Sequence, residues 1–309
     1  MTVETNRERV ADPPAPDWPD TIPSPPDAAV EHAAHGEEAA ASAPPEPAWR
    51  ETALAALRSW SLRTASVLVG LGLWHWAATV KLDFYINFAN VPTPLAVAAA
   101  LWRHVHEAKF YLHIGISMER IAIGYAIAAI AGIFLGLIMG RSRLVRDLLT
   151  PYIELLRPIP AVAWIPLAIL MWPTEESSII YIIFLGALFP IVLNTIHGVD
   201  QTPEVLVRAA QSLGAGRVQI FWHVVLPAAL PSIAAGLSVS MGVAWFSLLA
   251  GEIISGQYGI GYFTWNAYSL IEYPDIVVGM LLIGVLGTLS TYGVKLATRP
   301  LLAWQRRTR

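Results

Sequence analysis

The chain has 309 residues, 55% of them hydrophobic and only 14% charged, and its 23 acidic and 20 Lys and Arg side chains give a formal net charge of -3. Soluble domains carry about a quarter charged residues, so the composition excludes an ordinary soluble enzyme and requires lipid as part of the solvent. The absence of cysteine excludes disulfides, a thiolate nucleophile, Cys-ligated zinc and iron–sulfur clusters.

Residues 1–50 carry ten acidic and three basic side chains and ten of the 23 prolines, a net charge of -7 against +4 for the rest of the chain. Proline removes a helical donor and restricts the residue before it, and a charged, apolar-poor segment cannot bury enough surface to order itself. The segment is expected to be a disordered cytoplasmic tail, because it lacks the basic start and apolar run of a secretory signal. His32 and His35, with Glu31, Glu37 and Glu38, read as solvated polar residues rather than a metal site.

A helix crossing the hydrocarbon core needs about 20 mostly apolar residues, and six stretches qualify: 62–80, 117–140, 151–171, 178–198, 231–254 and 275–297. Pro158, Pro160 and Pro166 interrupt the third, which is expected to be a kinked span. Between the first two, Thr93 caps a helix whose first position is Pro94. Its apolar run, 95–102, is too short to span, which predicts an external surface helix carrying Arg103, His104 and His106.

Short cytoplasmic loops are enriched in Lys and Arg. Placing the N-terminus inside puts Arg58, Arg63, Arg141, Arg143, Arg146, Arg157, Arg208, Arg217, Arg299, Arg306, Arg307 and Arg309 in the cytoplasm and leaves Lys81, Arg103 and Lys109 outside with Glu175, Glu176 and Glu272. Both termini are therefore expected in the cytoplasm. Gly124, Ala128, Gly132, Gly136 and Gly140 recur every four residues, and Gly236, Ser240 and Ala244 do the same in the fifth span. Such smooth faces allow close helix approach, within one bundle or between subunits.

Uphill transport needs an energy source. A phosphate-cradling G-x-x-x-x-G-K-[ST] loop is absent, since the only lysines are Lys81, Lys109 and Lys295 and none follows a glycine. Ion coupling would use ionisable groups inside the spans, for which His75, Glu119, Arg120, His197 and Glu252 are the candidates. Glu119, Arg120 and His197 lie near span ends and are expected to snorkel outward, while His75 sits between Trp74 and Trp76 as an interfacial or packed histidine. Glu252 reads either as an interfacial, helix-pairing carboxylate or as a gate residue.

The loop at 199–231 is amphipathic. Thr202, Pro203 and Glu204 read as cap, first turn and dipole partner of a short helix, with Val205, Leu206, Ala209, Ala210 and Leu213 as its apolar face. Gly214 and Gly216 end it, and Val218, Ile220, Phe221, Val224 and Val225 begin a second helix before Pro227 and Pro231. Two readings fit this spacing: a helix that fills a groove on a soluble partner, or one that lies on or re-enters the membrane.

The stretch RAAQSLGAGRVQIFWHVVLPAALP at 208–231 resembles the EAA loop of ABC importer permeases, matching at Ala209, Ala210, Gly214, Leu226 and Pro227 and departing at Arg208, where the family usually has Glu. LRPIPAVAWIPLAIL at 156–170, FPIVLNTIHGV at 189–199 and GEIISGQYGIGYF at 251–263 are similar to the nitrate/sulfonate/taurine branch of these permeases, so the resemblance covers roughly 60–300.

The resemblance implies an all-α polytopic bundle of about six spans with the type I importer permease fold of methionine importers. It divides the chain into the tail (1–50), a first span with the external helix (51–115), a permease core (116–300) and a basic end (301–309). It also implies a bacterial inner-membrane protein, pairing as a homodimer with two cytoplasmic ATPase subunits that hold ATP and Mg, and receiving substrate from an extracytoplasmic binding protein. The chain itself would carry no cofactor, catalytic residue or metal, and would contact lipid but no nucleic acid.

In that picture 204–218 is the coupling helix. It contributes Glu204, Arg208, Ala209, Ala210, Leu213, Ala215 and the turn residue Gly214, and Arg217 meets either acidic groups on the ATPase or lipid headgroups. Asn194, Thr195, Ser247, Glu252 and Tyr262 are the path or gate candidates. Tyr258, Phe263, Trp265 and Tyr268 join Tyr262 in an aromatic group that either lines a passage or forms an interfacial belt. Substrates of the branch are small oxyanions such as nitrate, organic sulfonates such as taurine, and some neutral heterocycles. The helices expected around the cavity carry little fixed positive charge. The rival is an ion-coupled secondary transporter without an ATPase, which tends to have repeated halves and central ionisable groups; no clear internal repeat is visible.

Overall fold

The computed structural model describes residues 48–81 and 90–302. The expected tail, up to residue 47, and the basic end beyond 302 lie outside them. The chain divides into two units, Met1–Leu62 and Arg63–Arg309. The described part of the first is the start of helix α1 (Ala48–Val80), which already includes residues 48–50 of the expected tail. Everything below concerns the second unit.

All regular structure among the described residues is helical, with no strand among them. After α1 come α2 (Pro94–His104), α3 (Ala108–Arg141), α4 (Arg143–Leu156), a 3-10 turn (Ala161–Trp164), α5 (Ile165–Met171) and α6 (Glu175–Asp200). Then follow α7 (Glu204–Ser212), α8 (Arg217–Ile220), a π-helical segment (Phe221–Val225), α9 (Leu226–Ser255), α10 (Ile260–Ser269) and α11 (Tyr273–Thr298). The expected all-α bundle is what the chain forms.

Local signals set the helix starts. Thr93 Oγ1 accepts from the Ala96 amide at 3.3 Å with Pro94 in the first turn of α2. Thr174 Oγ1 accepts from the Ser177 amide at 3.1 Å, and Glu175 and Glu176 follow at the positive end of the α6 dipole.

Four stretches are long and apolar enough to cross a membrane: Ala108–Arg141, Glu175–Asp200, Arg217–Ile254 and Tyr273–Thr298. The region expected to be one kinked span, 151–171, is instead a pair of helices, Arg143–Leu156 and Ala161–Met171, meeting at 86°. Pro158 and Pro160 lie at the break, where two missing donors within three residues and the restriction each imposes on its predecessor leave no helical path. Counted as one broken span, this pair is a fifth. The first expected span lies within α1, whose Arg63 and His75 leave it less apolar than those four. From Arg63 onward α1 is almost wholly exposed, with Ala78 buried and Trp74 Nε1 donating to the Pro92 carbonyl at 3.0 Å.

The core is the packing of α3, α6 and α9. Ile121 and Ala128 meet Ile179, Ile183, Ala187 and Ile191, and these meet Met241, Ala244, Trp245 and Leu248. The four-residue glycine stripe of α3 lies against α6. A Cβ at Gly136 would fall 2.5 Å from Thr195 Cβ, and one at Gly140 would fall 2.7 Å from Val199 Cβ. The stripe thus serves close packing within this bundle.

Candidate functional site

Two regions at opposite ends of α6 and α9, and a cavity at their middle, hold the polar and exposed apolar features that the fold alone does not require. The first is the loop after α6. Asp200 at its start accepts from Arg146 Nη2 at 2.6 Å, and Arg146 Nε donates to the Met139 carbonyl at 3.1 Å, which joins the ends of α3 and α6. Thr202 does not cap α7 as the sequence suggests. Pro203 occupies the cap position, so the threonine falls one residue early and its Oγ1 is buried without a hydrogen-bond partner.

α7 stops where Gly214 adopts φ +82°. The Leu213 amide donates to the Ala209 carbonyl at 3.1 Å and the Ala215 amide to the Ala210 carbonyl at 3.0 Å, the left-handed glycine stop that satisfies a helix's last carbonyls. The amide of Gly216 then donates to Gln219 Oε1 at 2.9 Å and starts α8.

The apolar side chains of the loop divide between two faces. Val207, Ala210 and Ala215 pack on a buried cluster of Val199 at the end of α6, Ile220 and Val225 of α8 and the π segment, and Ala229 and Ile233 at the start of α9. Val205, Leu206, Leu213 and Val218 point away, with Leu213 88% and Val205 75% exposed. The expected face thus splits: Ala210 turns inward with Val207, while Val205, Leu206, Ala209 and Leu213 stay outside. Arg208, at the position where Glu is usual, pairs with Glu204 one turn earlier at 2.5 Å; both are exposed, so the pair adds little stability. Arg217 has no ion-pair partner among the described residues.

The second region is a buried clamp at the other end. Glu252 is fully buried in α9. Its Oε1 accepts from Ser117 Oγ at 2.7 Å and Arg120 Nη1 at 2.9 Å, and its Oε2 accepts from the Gly261 amide at 2.8 Å. Arg120 also grips Glu176 through Nε, at 2.7 Å, and through Nη2, and it donates to the Tyr258 carbonyl at 2.7 Å. Ser117 Oγ accepts from the Ile260 amide at 2.8 Å, and His113 Nδ1 accepts from the Gly259 amide at 3.0 Å. Three helices and the 256–261 turn are thereby tied together.

Arg120 does not snorkel. It is 3% exposed and makes four hydrogen bonds to oxygen. A buried charge is tolerable only when paired and hydrogen-bonded, and α3 presents Arg120 directly to α6 and α9. Glu252 thus makes the contacts of the helix-pairing reading. Reading the sequence singled out Glu252 but missed Arg120, Ser117 and Glu176 as its partners. The available signal was the cost of burying either charge alone, which makes the two intramembrane residues of opposite sign candidates for each other.

The remaining path candidates are not gathered in one place. Thr195 is buried, donates to the Ile191 carbonyl at 2.7 Å and packs on Gly136, which makes it a helix-contact residue. Asn194 donates to the Pro190 carbonyl at 2.8 Å and lies against Gly236. Tyr262 lines a cavity of about 590 Å³ near the clamp with Lys109, His113, Gln257, Tyr258 and Asn266. Trp265 and Tyr268 are exposed and contact each other at 5.3 Å between ring centroids, as in an interfacial belt.

Ser247 is buried with its Oγ unpartnered, filling the space that a side chain at Gly186 would take. Gly186 also lines a cavity of about 530 Å³ between the broken pair, α6 and α9, whose walls include Arg157, Pro160, Trp164, Phe189 and Val243. Its α6 wall is the middle of that span. Arg157, placed by sequence in a cytoplasmic loop, lies at the 86° break and lines this cavity while remaining exposed. It has no ion pair among the described residues.

Outside the spans, His104 of α2 contacts Asp275 Oδ2 at 2.9 Å through Nε2 and Glu107 Oε2 at 3.1 Å through Nδ1. Burial disfavours its charged form, but the hydrogen bonds and charges of Asp275 and Glu107 outweigh burial and hold its pKa above the usual histidine value.

Residues 129–300 match the family described as binding-protein-dependent transport system inner membrane component. The chain is 33% identical over 252 residues to the taurine transport system permease protein TauC of Escherichia coli, covering 80% of this chain and 90% of that one. It is 36% identical over 210 residues to the nitrate import permease protein NrtB of a Synechocystis species, covering 65% and 76%. Among solved structures, a chain of the MetNI methionine ABC transporter in an inward-facing conformation has a TM-score of 0.53 at 18% identity, over 62% of this chain and 95% of that one. That likeness supports the fold. The length and identity of the sequence matches go further: the chain belongs to the binding-protein-dependent transport system inner membrane components, the multi-pass permeases that form the membrane passage of ABC importers.

Proposed function

We propose that this chain works as one of two identical permease subunits, docked through α7 and the Gly214 turn to a cytoplasmic ATPase that holds ATP and Mg, and supplied by an extracytoplasmic binding protein with a small oxyanion of the sulfonate or nitrate class. The observation that carries the docking is the split of the loop into two apolar faces. Val207, Ala210 and Ala215 fix it to the ends of α6 and α9, while Val205, Leu206, Leu213 and Val218 are left for a groove to fill. A pull on the outer face therefore moves α6 and α9 through the inner one. Nucleotide binding draws the two loops together and favours one state of the passage, and hydrolysis releases it.

The arginine distribution supports a cytoplasmic position for this loop and for both termini. The oxyanion reading rests on Arg157. Arg157 is exposed on the wall of a cavity that lies beside the middle of α6 and has no ion-pair partner among the described residues, and the cavity is otherwise largely apolar, with Trp164 and Phe189; a free guanidinium there suits an anionic solute. The relatives named above as taurine and nitrate permeases agree with an anion there. A proton- or sodium-coupled carrier would need a titratable group facing the passage. The buried pair here, Arg120 with Glu252, is instead engaged in hydrogen bonds to Ser117, Glu176, Gly261 and the Tyr258 carbonyl.

The test is Leu213→Asp with the tagged full chain in its own host's membranes. The expected result is normal insertion with the ATPase no longer co-purifying and ATP-dependent uptake lost. Intact association and uptake would overturn the docking.

A further inference from the structure

A second feature at the α7 end of the bundle adjoins the docking face and shares Val218 with it. A cavity of about 620 Å³ lies between the end of α3 and the segment after the Gly214 turn, walled by Phe134, Leu137, Ile138, Val218, Phe221 and Trp222. The other residues around it are Arg141, Ser142 and Arg217. Ser142 is engaged in capping α4, its Oγ accepting from the Val145 amide at 3.4 Å. Neither arginine has an ion-pair partner among the described residues, whereas neighbouring Arg146 is satisfied by Asp200.

We propose that this groove is a binding site for one anionic phospholipid, its phosphate held between Arg141 and Arg217 and an acyl chain lying along Phe134, Leu137 and Ile138. Three arguments select this occupant. Arg141 follows directly on the uncharged, mostly apolar stretch 121–140 of α3, which is about 30 Å long and matches the hydrocarbon core, so it sits at the membrane interface. Phe134 is seven residues earlier, so the apolar trough runs about 10 Å from the arginines into the hydrocarbon layer, a depth that a soluble partner does not reach. Two uncompensated guanidiniums are suited to a phosphodiester, which they bind through paired hydrogen bonds, and basic pockets at helix ends are favoured by anionic headgroups.

Trp222, 58% exposed on the opposite wall, is the residue type that settles at headgroup level. The lipid bridges α3 to α8 and the π segment, the stretch through which the loop enters α9. The inference needs only that α3 spans the membrane; it stands whether or not α7 docks an ATPase.

The test uses the purified full chain, delipidated and exchanged into micelles doped with either phosphatidylglycerol or phosphatidylcholine, with bound lipid counted by native mass spectrometry. Phosphatidylglycerol is expected to be retained and phosphatidylcholine lost. Arg141→Gln with Arg217→Gln should weaken retention about thirty-fold, the effect of two basic side chains at an anionic surface. Ile138→Trp, which keeps both charges and fills the trough, should lose the lipid as well.

Equal retention of the two lipids, or unchanged retention in the double variant, would overturn the proposal. The chain has no cysteine, so Phe134→Cys gives a single reactive site. Its cross-linking between two copies in lipid bilayers would show a second permease in the groove and also overturn it.

Discussion

Gly259 has no side chain where the Glu252 carboxylate sits: a Cβ there would lie 2.2 Å from Oε1 and 2.5 Å from Oε2. The same glycine holds φ +117°, which L side chains rarely adopt, and gives its amide to His113 Nδ1 at 3.0 Å. The turn before α10 and the ion pair inside the bundle are therefore one unit. Gly259→Ala is expected to insert but to lower stability by several kcal/mol, the scale of a broken buried ion pair at about 3–5 kcal/mol. Gly214→Ala is a useful contrast. It also has positive φ but nothing within 4 Å, so its cost is confined to about 1–2 kcal/mol of backbone strain. Apparent unfolding midpoints of the two variants in mild detergent check this; equal midpoints would contradict the clamp.

The clamp also predicts non-additivity. Arg120→Met leaves Glu252 buried and unpaired, and Glu252→Leu leaves Arg120 with Glu176 alone. Each single change should be strongly destabilising, while the double variant should recover much of the loss because no uncompensated charge remains. A double-mutant cycle on the unfolding midpoint measures the coupling. Additive losses would mean that the two side chains act separately.

How much of this was legible in the sequence follows from the range of each interaction. The spans α3, α6, α9 and α11 announce themselves through 20-residue apolar windows, and the glycine stripe of α3 through its four-residue period, because both are local patterns. The Gly214 stop is local too, and it holds. The clamp joins Arg120 to Glu252 across 132 residues, and no periodicity encodes that register. The same is true of Arg157. Its prolines predict a break, but the direction of the 86° bend, which brings the exposed arginine to the cavity wall, is set by packing against α6 and α9.

His104 predicts a pH dependence outside the spans. Its pKa is raised in the folded chain because the hydrogen bonds and charges of Asp275 and Glu107 outweigh burial, with Arg103 also near Asp275 at 3.5 Å. A raised folded pKa gives stability that is fully present below the unfolded value near 6.5 and lost as pH rises through the folded value. Attachment of α2 to α11 should therefore weaken above neutral pH. The unfolding midpoint of the native chain minus that of His104→Gln should shrink between about pH 6 and pH 9. A difference that is flat or grows over that range would contradict the assignment.

Ser247 separates packing from transport. Its Oγ is buried, lacks a hydrogen-bond partner and sits behind Gly186, which lines the Arg157 cavity. An unsatisfied buried hydroxyl costs about 1–3 kcal/mol relative to a satisfied one, so Ser247→Ala should leave stability unchanged or raise it. If the hydroxyl serves the solute path, that stable variant should still show a raised KM for uptake, and Arg157→Gln should show a larger rise that Arg157→Lys partly restores. Uptake unchanged in Ser247→Ala and Arg157→Gln alike would mean that the cavity is only a packing fault between the broken helix pair and α6.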